Sequence, residues 1–452
     1  MKSWTPEQVA RAAGARLLAP PPTWAGPDRA VIDSRDAGPG ALFVGLNGAR
    51  VDGGKFAPQA LAAGAWGILT TPEHAEAAKC APPGVLLAAD DPLKALQRLA
   101  NAWRHELRAK VIGVTGSTGK TSTKDILLAI LSPLRRTVAS RANFNTEIGL
   151  PLEILDAPTG TEVLVLEMAM RGPGQIAELA SIAEPDLAVI VSVGPVHLEL
   201  LGTLEAIAAT KAELIKALKP GAAAVIPAGE PLLKPYLRDD VTTLSFGERG
   251  DVRLISAGES EVEIDLQGRL ITLEVPFTQA HLRQNLLAAV AAASAIGAAP
   301  SGRVELALSP GRGQRIRLAD EVTVIDDCYN ANPMSMRAAL DDLVATAAST
   351  EHARRIAVLG DMLELGPDER RFHVEIGRYA SQVGVDVLVT VGPLAAAMAE
   401  AFEGDLHGVA SAPDAASLVP GLLRARDVVL VKASRGVGLE LVCRALGQGV
   451  TG

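Results

Sequence analysis

Short apolar runs and longer helical stretches alternate along most of this chain. From Lys110 onward, helical segments separate the runs KVIGVTG, EVLVLEMA, DLAVIVSVG and AAAVIPA. A second series starts at VTVIDDCYNANP and continues through RIAVLGDM, DVLVTVG and DVVLVKASRG. Strands that alternate with helices form βαβ units, so each series predicts a mostly parallel sheet.

Other segments precede, separate or connect these two series. Residues 1 to about 106 mix the short strands AVIDSR, ALFVGL and AWGILT with helical runs. Residues 251–277 predict a β-meander, the alanine-rich HLRQNLLAAVAAASAIGA predicts a helix, and SPGRGQRIRL is typical of a linker. A chain of 452 residues is expected to hold about three domains. We predict three α/β domains: a small one at 1–106, a central parallel-sheet one at 107–313 and a Rossmann-like one at 314–452.

The segment VIGVTGSTGKTSTKDILLAIL, residues 111–131, is similar to a nucleotide-binding loop with one difference. The pattern G-x-x-x-x-G-K-[ST] would place its first glycine at position 114, but the nearest glycine is Gly113. An apolar strand still leads into a glycine-rich turn and then a helix, whose free N–H groups and dipole attract phosphate. The expected phosphate and magnesium contacts are Gly116, Ser117, Thr118, Gly119, Lys120 and Thr121. A glycine turn with an incidental lysine is the alternative.

Composition narrows the class of protein. A net charge of −9 and only 3% aromatic residues argue against a nucleic-acid surface, which needs basic patches and stacking platforms. No apolar stretch is long enough to span a bilayer, and the N-terminus lacks the basic-then-apolar order of a signal peptide. Three cysteines are too few for a disulfide framework and fit a reducing cytosol. We therefore expect a cytoplasmic protein without nucleic-acid or membrane partners.

Lysine is used sparingly, because only 12 of the 43 basic residues are lysines. No lysine occurs between Lys124 and Lys211, or between Lys234 and Lys432. Unlike arginine, a lysine can lose its proton and react. Lys211 and Lys432 are therefore candidates for a chemical role, and two ordinary surface lysines are the alternative.

Polar residues recur where the predicted strands end, which is where open α/β sheets bind their ligands. They are Glu167, His197, Asp326, Asp327, Asp361, Ser434 and Arg435. Each of them alone fits a helix cap or a turn, but such groups at strand ends in two domains favour an active site between the domains. Thr121, Glu167 and His197 together predict a metal site near the phosphates, although histidine is an unusual ligand for magnesium.

Several longer motifs resemble the Mur ligases, ATP-dependent amide ligases of cell-wall synthesis. They are TGSTGKT, LEMAMRGPGQIAELASIAEPDLAVIVSVGPVHLELLG, ATKAELIKAL, VIDDCYNANPMSM, LGDMLELG and VKASRGVGLE. The shifted glycine pattern is that family's own variant. The resemblance covers about residues 31–442, and within it VIDSRDAGPGALFVGLNGARVDGGKFAPQALAAGAWGIL is similar to a UDP-sugar-binding domain.

The resemblance implies an activity and its partners. YNANPMSM and GDMLELG are similar to the family members that join D-alanyl-D-alanine to UDP-N-acetylmuramoyl-tripeptide through an acyl phosphate, with ATP and Mg²⁺ as cofactors. A related ligase that adds a single amino acid is the alternative within the family. A regulatory GTPase is the alternative outside it. The protein is expected to act as a monomer.

The same resemblance implies roles position by position. The catalytic residues are Lys120, Glu167, His197 and Lys211, and the metal ligands are Thr121, Glu167, His197 and Lys211. Lys211 matches a carbamylated lysine, whose anionic oxygen can bind magnesium where a bare ammonium would repel it. Outside the loop, the residues implied in ATP binding are Asn285, Arg312, Asp327, Tyr329 and Asn330. Those implied for the UDP-sugar peptide and the dipeptide are Ser34, Arg35, Asn145, Thr146, Asp361, Lys432, Ser434 and Arg435.

Overall fold

Three β-sheets with their helices follow one another along the chain in the computed structural model, which describes residues 1–19, 25–141, 143–349 and 352–448. Within these residues, the first sheet has five strands, the second ten and the third six. This arrangement confirms the predicted three-domain α/β fold. The exact domain limits of 1–106, 107–313 and 314–452 stay a prediction.

The N-terminal domain is a small, mostly parallel sheet with helices. Its strands are β1 (Arg16–Ala19), β2 (Arg29–Val31), β3 (Ala41–Val44), β4 (Gly67–Thr70) and β5 (Val85–Ala88). Its helices are α1 (Pro6–Ala13), α2 (Ala57–Ala62), α3 (Pro72–Ala77) and α4 (Pro92–Leu107). The strand order is β1-β5-β4-β3-β2, with β1 antiparallel to β5 and the other neighbours parallel. Helix α4 starts with a proline in its first turn, and Asp91 caps it by accepting the N–H of Lys94 (2.9 Å).

The central domain carries the largest sheet. Its strands are β6 (Lys110–Thr115), β7 (Thr137–Ala139), β8 (Val163–Glu167), β9 (Leu187–Ile190), β10 (Ala223–Pro227), β11 (Thr242–Phe246), β12 (Val252–Ala257), β13 (Glu261–Leu266), β14 (Arg269–Glu274) and β15 (Gly302–Arg303). Its helices are α5 (Lys120–Leu131), α6 (Gly149–Asp156), α7 (Gln175–Ala183), α8 (Leu198–Leu201), α9 (Leu204–Lys211), α10 (Glu213–Lys216) and α11 (Ala280–Ala295). The strand order is β15-β14-β13-β12-β11-β10-β9-β6-β8-β7. Strands β12 to β14 form the predicted antiparallel meander.

The C-terminal domain has a parallel sheet with one antiparallel edge. Its strands are β16 (Gln314–Arg317), β17 (Thr323–Asp326), β18 (Arg355–Gly360), β19 (Val387–Val391), β20 (Asp405–Val409) and β21 (Val428–Lys432). Its helices are α12 (Pro333–Ala348), α13 (Glu369–Gln382), α14 (Ala412–Leu422) and α15 (Glu440–Gln448). The order is β16-β17-β21-β18-β19-β20. The predicted linker SPGRGQRIRL is therefore wrong in its second half, because β16 pairs with β17 and covers its backbone edge.

Short 3₁₀ helices complete the set of helices. They are Gly53–Phe56, Ala78–Cys80, Pro231–Tyr236, Ala319–Glu321, Gly366–Asp368, Ala395–Glu400 and Arg435–Val437. Across the described parts of the chain, no helix has both the length and the apolar character needed to cross a membrane.

Apolar packing joins two of the domains and leaves the third separate. Helix α4 packs against α6 and α7, and Trp103 of α4 is buried and donates its indole N–H to Ala157 O (3.0 Å). The C-terminal domain has its own apolar clusters on its sheet, and none of the clusters formed by described residues extends from it into the central domain. Domains without a shared apolar interface are expected to move relative to each other. We therefore expect the cleft between the central and C-terminal domains to be the part of the fold that opens.

Candidate active site

The nucleotide-binding loop lies between β6 and α5, as the sequence predicts. Gly119 takes the left-handed backbone conformation (φ 79°) directly before the first residue of α5. A Cβ atom at this position would lie 2.5 Å from Oδ1 of Asn285, so only glycine lets α11 pack this close to the turn. The free N–H groups at the start of α5 remain available for an anion.

A segment after β9 holds the loop in shape. The Ser117 N–H donates to Ser192 O (3.0 Å), and the Thr118 N–H donates to Ser192 Oγ (2.8 Å). The Ser117 hydroxyl donates to Gly194 O (2.9 Å). The predicted site lacks Ser192, although its position just beyond the end of β9 is the kind of strand-end signal that marks the other residues.

Lys120 extends back over the loop and donates from Nζ to Gly116 O (2.9 Å). Burial lowers the pKa of Lys120, the Glu167 carboxylate opposes this lowering, and the charge of Arg312 adds to it. Two cations, Lys120 and Arg312, therefore lie close enough to repel each other. A polyanion bound beside them would relieve that repulsion.

Thr121, Glu167 and Asn145 form one hydrogen-bonded group at the start of α5. The Thr121 hydroxyl donates to Glu167 Oε2 (2.8 Å), and Asn145 Nδ2 donates to Glu167 Oε1 (2.9 Å). Arg312 Nη2 also donates to Thr121 Oγ1 (3.2 Å). Glu167 is only 3% exposed, so its carboxylate depends on these partners. Hydroxyl and carboxylate oxygens are the ligands that Mg²⁺ prefers, and the predicted metal role of this pair is compatible with the geometry.

His197 lies directly before α8 and has a left-handed backbone (φ 52°). Its Nδ1 is hydrogen-bonded to a carboxylate oxygen of Glu364, which belongs to the C-terminal domain. Burial lowers the pKa of His197, Glu364 opposes this lowering, and the charges of Lys120 and Lys211 add to it. The imidazole therefore lies within electrostatic reach of both lysines. Glu364 is absent from the predicted site, although it lies in the GDMLELG motif.

Lys211 is the last residue of α9 and is 2% exposed. Helix α9 ends there, with the Ala212 N–H bonded to Ala208 O (2.9 Å), and α10 begins at Glu213. Burial lowers the pKa of Lys211 well below its usual value, and the charge of Lys120 lowers it further. Among the described residues, no hydrogen bond or ion pair reaches its Nζ. A buried ammonium without a partner is costly, so the site favours an uncharged or modified amine.

A cavity of about 470 Å³ lies beside the loop, between the central and C-terminal domains. The predicted ATP contacts that line it outside the loop are Asn285, Arg312, Asp327 and Asn330. A further part of the cavity lining offers apolar, amide and imidazole groups that suit a flat nucleobase. Its residues are Pro227, Ala228, Phe246, Gly247, His281 and Gln284. The sequence does not predict these residues, because β10, β11 and α11 come together only in the folded central domain.

The loop after β17 closes one side of the cavity. Tyr329 lies beside two guanidinium groups, with Arg312 at 4.0 Å and Arg435 at 5.3 Å from its ring centre. Lys432 Nζ donates to Asp327 Oδ2 (2.6 Å) and to a backbone oxygen three residues further on (2.9 Å). Lys432 is therefore a buried, paired lysine and not an ordinary surface residue.

The other predicted substrate residues lie outside the cavity lining: Ser34, Arg35, Asn145, Thr146, Asp361, Ser434 and Arg435. Arg35 is exposed and hydrogen-bonds to Asp33, which lowers the pKa of that carboxyl to about 2. Asp361 accepts the Ala395 N–H (2.7 Å) at the start of a 3₁₀ helix. Ser434 Oγ accepts a backbone N–H from the segment after β18 (2.9 Å). Their roles toward substrates stay predictions.

A second group of potential metal ligands lies at the end of β17. Asp326, Cys328 and Cys443 place one ligand atom each within 4.8 Å of the others. The hydrogen bond with Cys328, followed by burial, raises the pKa of the Cys443 thiol. Thiols are soft ligands that do not suit magnesium. This group therefore does not replace the predicted set around Thr121 and Glu167.

Models of known protein families match three consecutive parts of the chain. The model described as Mur ligase family, catalytic domain, matches residues 30–104, and the Mur ligase middle domain matches residues 114–293. The Mur ligase glutamate ligase domain matches residues 311–435. The chain belongs to the Mur ligase family.

Two similar Mur ligases are both named UDP-N-acetylmuramoyl-tripeptide–D-alanyl-D-alanine ligase. That of Bacillus subtilis (strain 168) is 36% identical in an alignment 428 positions long that covers 92% of each chain. That of Mycobacterium tuberculosis (strain CDC 1551 / Oshkosh) is 39% identical in an alignment 466 positions long that covers 92% of this chain and 91% of the other.

Solved Mur ligase structures share the fold over nearly the whole chain. MurF from Acinetobacter baumannii has a TM-score of 0.85 at 28% identity, and the match covers 98% of this chain and 99% of that one. The MurF ligase from Thermotoga maritima, determined in complex with ADP, has a TM-score of 0.81 at 31% identity. That match covers 93% of this chain and 97% of the other.

Proposed function

We propose that this Mur ligase uses ATP to join D-alanyl-D-alanine to UDP-N-acetylmuramoyl-tripeptide, giving ADP and phosphate. The observation that carries the proposal is the cavity between two domains, where the phosphate loop meets Arg312 and the loop after β17. Two relatives that match more than nine tenths of the chain carry both substrates in their names. A MurF ligase of the same fold binds ADP.

The reaction must activate a carboxylate, whose oxygen is a poor leaving group. The γ-phosphoryl group of ATP passes to the terminal carboxylate of the tripeptide, ADP leaves, and an acyl phosphate forms. The amine of D-alanyl-D-alanine then attacks the carbonyl carbon and loses a proton, and phosphate leaves. Phosphoryl transfer depends mainly on positioning and on positive charge. Lys120 and Arg312 are placed to supply that charge.

We assign the metal-binding set to Thr121, Glu167, His197 and Lys211. The fit is clearest for Thr121 and Glu167, because the Thr121 hydroxyl oxygen and Glu167 Oε2 are 2.8 Å apart. Asn145 donates a hydrogen bond to Glu167, and Arg312 donates one to Thr121. A bound Mg²⁺ would neutralise charge on the phosphate oxygens during transfer. Asn145 contributes by fixing the orientation of the carboxylate that would face the ion.

Lys211 joins this set as a carbamate. Its Nζ lone pair attacks the carbon of CO₂ and an N–H proton leaves, so a neutral amine becomes an anionic oxygen ligand. The side chain is 2% exposed, and burial together with the charge of Lys120 lowers its pKa, so an unmodified ammonium is disfavoured there. The positive charge of Lys120, which disfavours a protonated Lys211, would stabilise the carbamate.

The substrates are divided among the domains. We assign the UDP-sugar to the N-terminal domain, with Ser34 and Arg35 on the loop after β2, and the peptide path to Asn145 and Thr146. The incoming dipeptide is assigned to the C-terminal domain, with four residues: Asp361, Lys432, Ser434 and Arg435. We also propose that the protein acts as a monomer in the cytoplasm.

The test is phosphate release from ATP, measured with each substrate alone and with both together. Release that requires both substrates, with a D-alanyl-D-alanine adduct detected by mass spectrometry, is the expected result. Single amino acids in place of the dipeptide test the related ligase that adds one residue. GTP in place of ATP tests a guanine-nucleotide switch. Phosphate release that ignores both substrates would contradict the proposal.

A further inference from the structure

One contact across the domain cleft involves a predicted metal ligand. The segment after β18 carries Glu364, whose carboxylate accepts the Nδ1–H of His197 from the central domain. The backbones of the two segments are also in contact, because the Glu199 N–H donates to Glu364 O (3.4 Å). A Cβ atom on Gly366 would lie 3.2 Å from the Glu199 backbone, so the two segments are in close contact. Glu364 and Gly366 both have positive φ values (63° and 70°), which shape this turn toward His197.

The hydrogen bond to Glu364 determines which ring nitrogen of His197 is free to bind a metal ion. An imidazole has two nitrogens, and a carboxylate on one of them fixes both the tautomer and the orientation of the ring. Because Nδ1 carries the hydrogen toward Glu364, Nε2 remains as the acceptor. Gly194, three residues before His197, is hydrogen-bonded through its N–H and its carbonyl oxygen to the hydroxyl of Ser117 (2.9 Å each), so His197 follows a segment that borders the nucleotide loop.

We propose that Glu364 is a positioning residue: on domain closure its carboxylate binds His197 Nδ1 and turns Nε2 toward the metal-binding set. The proposal rests on the function proposed above through the role of His197. The site is then complete only after domain closure, because Glu364 belongs to the C-terminal domain and His197 to the central domain. In the open protein, His197 would lose this partner and the ring could rotate.

A plain ion pair between domains is the competing explanation. Glu364 Oε1 also lies 3.7 Å from Nη2 of Arg171, whose side chain is 71% exposed. Exposed pairs of this kind contribute little to stability and are screened by salt. If Glu364 only held the domains together, removing Arg171 would have a comparable effect. If Glu364 acts through His197, removing Arg171 leaves that role intact.

The decisive measurement is the tautomer of His197, read by NMR of protein labelled with ¹⁵N at the histidine rings. The wild-type protein with a non-hydrolysable ATP analogue and UDP-N-acetylmuramoyl-tripeptide, but without Mg²⁺, should show Nδ1–H for the resonance that is lost in His197→Asn, because a metal on Nε2 would fix the same tautomer without Glu364. Glu364→Ala should shift this resonance toward the other tautomer. Its kcat should fall about 10- to 100-fold with little change in the KM for ATP.

Matched variants separate positioning from structure. Arg171→Ala and Asp368→Asn each remove one charge near the same turn and should keep both the tautomer and kcat. Glu364→Gln keeps an acceptor oxygen and should keep the tautomer with a smaller loss of kcat. The double variant of Glu364→Ala with His197→Asn should be no slower than His197→Asn alone, because both changes remove one function.

An unchanged tautomer in Glu364→Ala would overturn the proposal, and so would an equal loss of kcat in Arg171→Ala. If Glu364→Ala fails to fold, Glu364→Leu, which also lacks an acceptor oxygen, replaces it in the tautomer and kcat comparisons. Wild-type protein that binds ATP but never needs D-alanyl-D-alanine for phosphate release would instead contradict the proposed function. In that case, the tautomer shift would still report whether Glu364 orients His197.

Discussion

Replacing Lys120 with alanine removes the one loop cation whose ammonium group lies over the phosphate-binding turn. In the structure, Lys120 is half-buried beside the cavity and its Nζ bonds only to Gly116 O among the described residues. An arriving triphosphate would offer this ammonium a much stronger acceptor. We expect Lys120→Ala to lose turnover while the fold stays intact.

The size of the loss follows from Coulomb's law. An ammonium and a phosphate oxygen about 4 Å apart attract each other by about 4 kcal/mol at the effective dielectric of about 20 that suits protein sites. Each 1.36 kcal/mol corresponds to tenfold in rate, so kcat/KM should fall about 1,000-fold. Stability should change far less, because a single lost hydrogen bond costs about 1 kcal/mol and relief of the buried charge offsets part of it.

The assay is phosphate release with saturating UDP-N-acetylmuramoyl-tripeptide and D-alanyl-D-alanine across a range of ATP concentrations. Thermal unfolding of the same sample checks the fold, with an expected shift in Tm of no more than about 2–4 °C. Lys110→Ala is the matched control. Its ammonium lies at the start of β6, the strand that leads into the loop, pairs with Asp186 at 3.2 Å and is 63% exposed, so its loss should leave kcat/KM unchanged.

Near-wild-type kcat/KM in Lys120→Ala would refute the phosphate-binding role. A similar loss in Lys110→Ala would show that the effect comes from the fold of the strand and not from charge at the loop. A large drop in Tm for Lys120→Ala would lead to the same conclusion.

Three further predictions concern other parts of the molecule. Lys211→Ala should lose most phosphate release and regain part of it with formate. Lys211→Arg should stay inactive, because arginine cannot form a carbamate. Normal turnover of the arginine variant would contradict the carbamate. Small-angle scattering should show a smaller radius of gyration with ATP and UDP-N-acetylmuramoyl-tripeptide together, because no apolar cluster of the described residues bridges the cleft; an unchanged profile at saturation would count against closure. The hydrogen bond from Lys219, followed by smaller ones from Asn101 and His105, lowers the pKa of Glu184 from 4.5 to about 2. The ionised carboxylate therefore stabilises the folded protein above about pH 4.5, and this stabilisation is lost as the pH falls toward 2. Glu184→Gln should therefore cost about 1–3 kcal/mol in urea unfolding at pH 7 and less at pH 3, and an equal cost at both would contradict the assignment.

The elements around the phosphate loop could be predicted from the sequence because their causes are local. An apolar run, a glycine-rich turn and helical spacing lie within 21 consecutive residues, and the structure places α5 at Lys120–Leu131, where the spacing predicts it. The meander and the helix containing Asn285 were predictable for the same reason. The edge strand β16 was not, because a strand of four residues rich in arginine forms only when β17 offers its edge.

The composition of the site depended on contacts that no local pattern encodes. Local patterns in the sequence predict which residues stand at strand ends and that Lys120 and Thr121 begin a helix. The contact of Asn285 with Gly119, the hydrogen bonds between Ser192 and the loop and the burial of Lys211 depend on how distant segments pack. Glu364 and His197 are 167 residues apart in the chain, and their meeting requires two domains to close on each other. Helix and turn formation depend on neighbours along the chain, whereas the surroundings of a side chain depend on how separate sheets and domains pack.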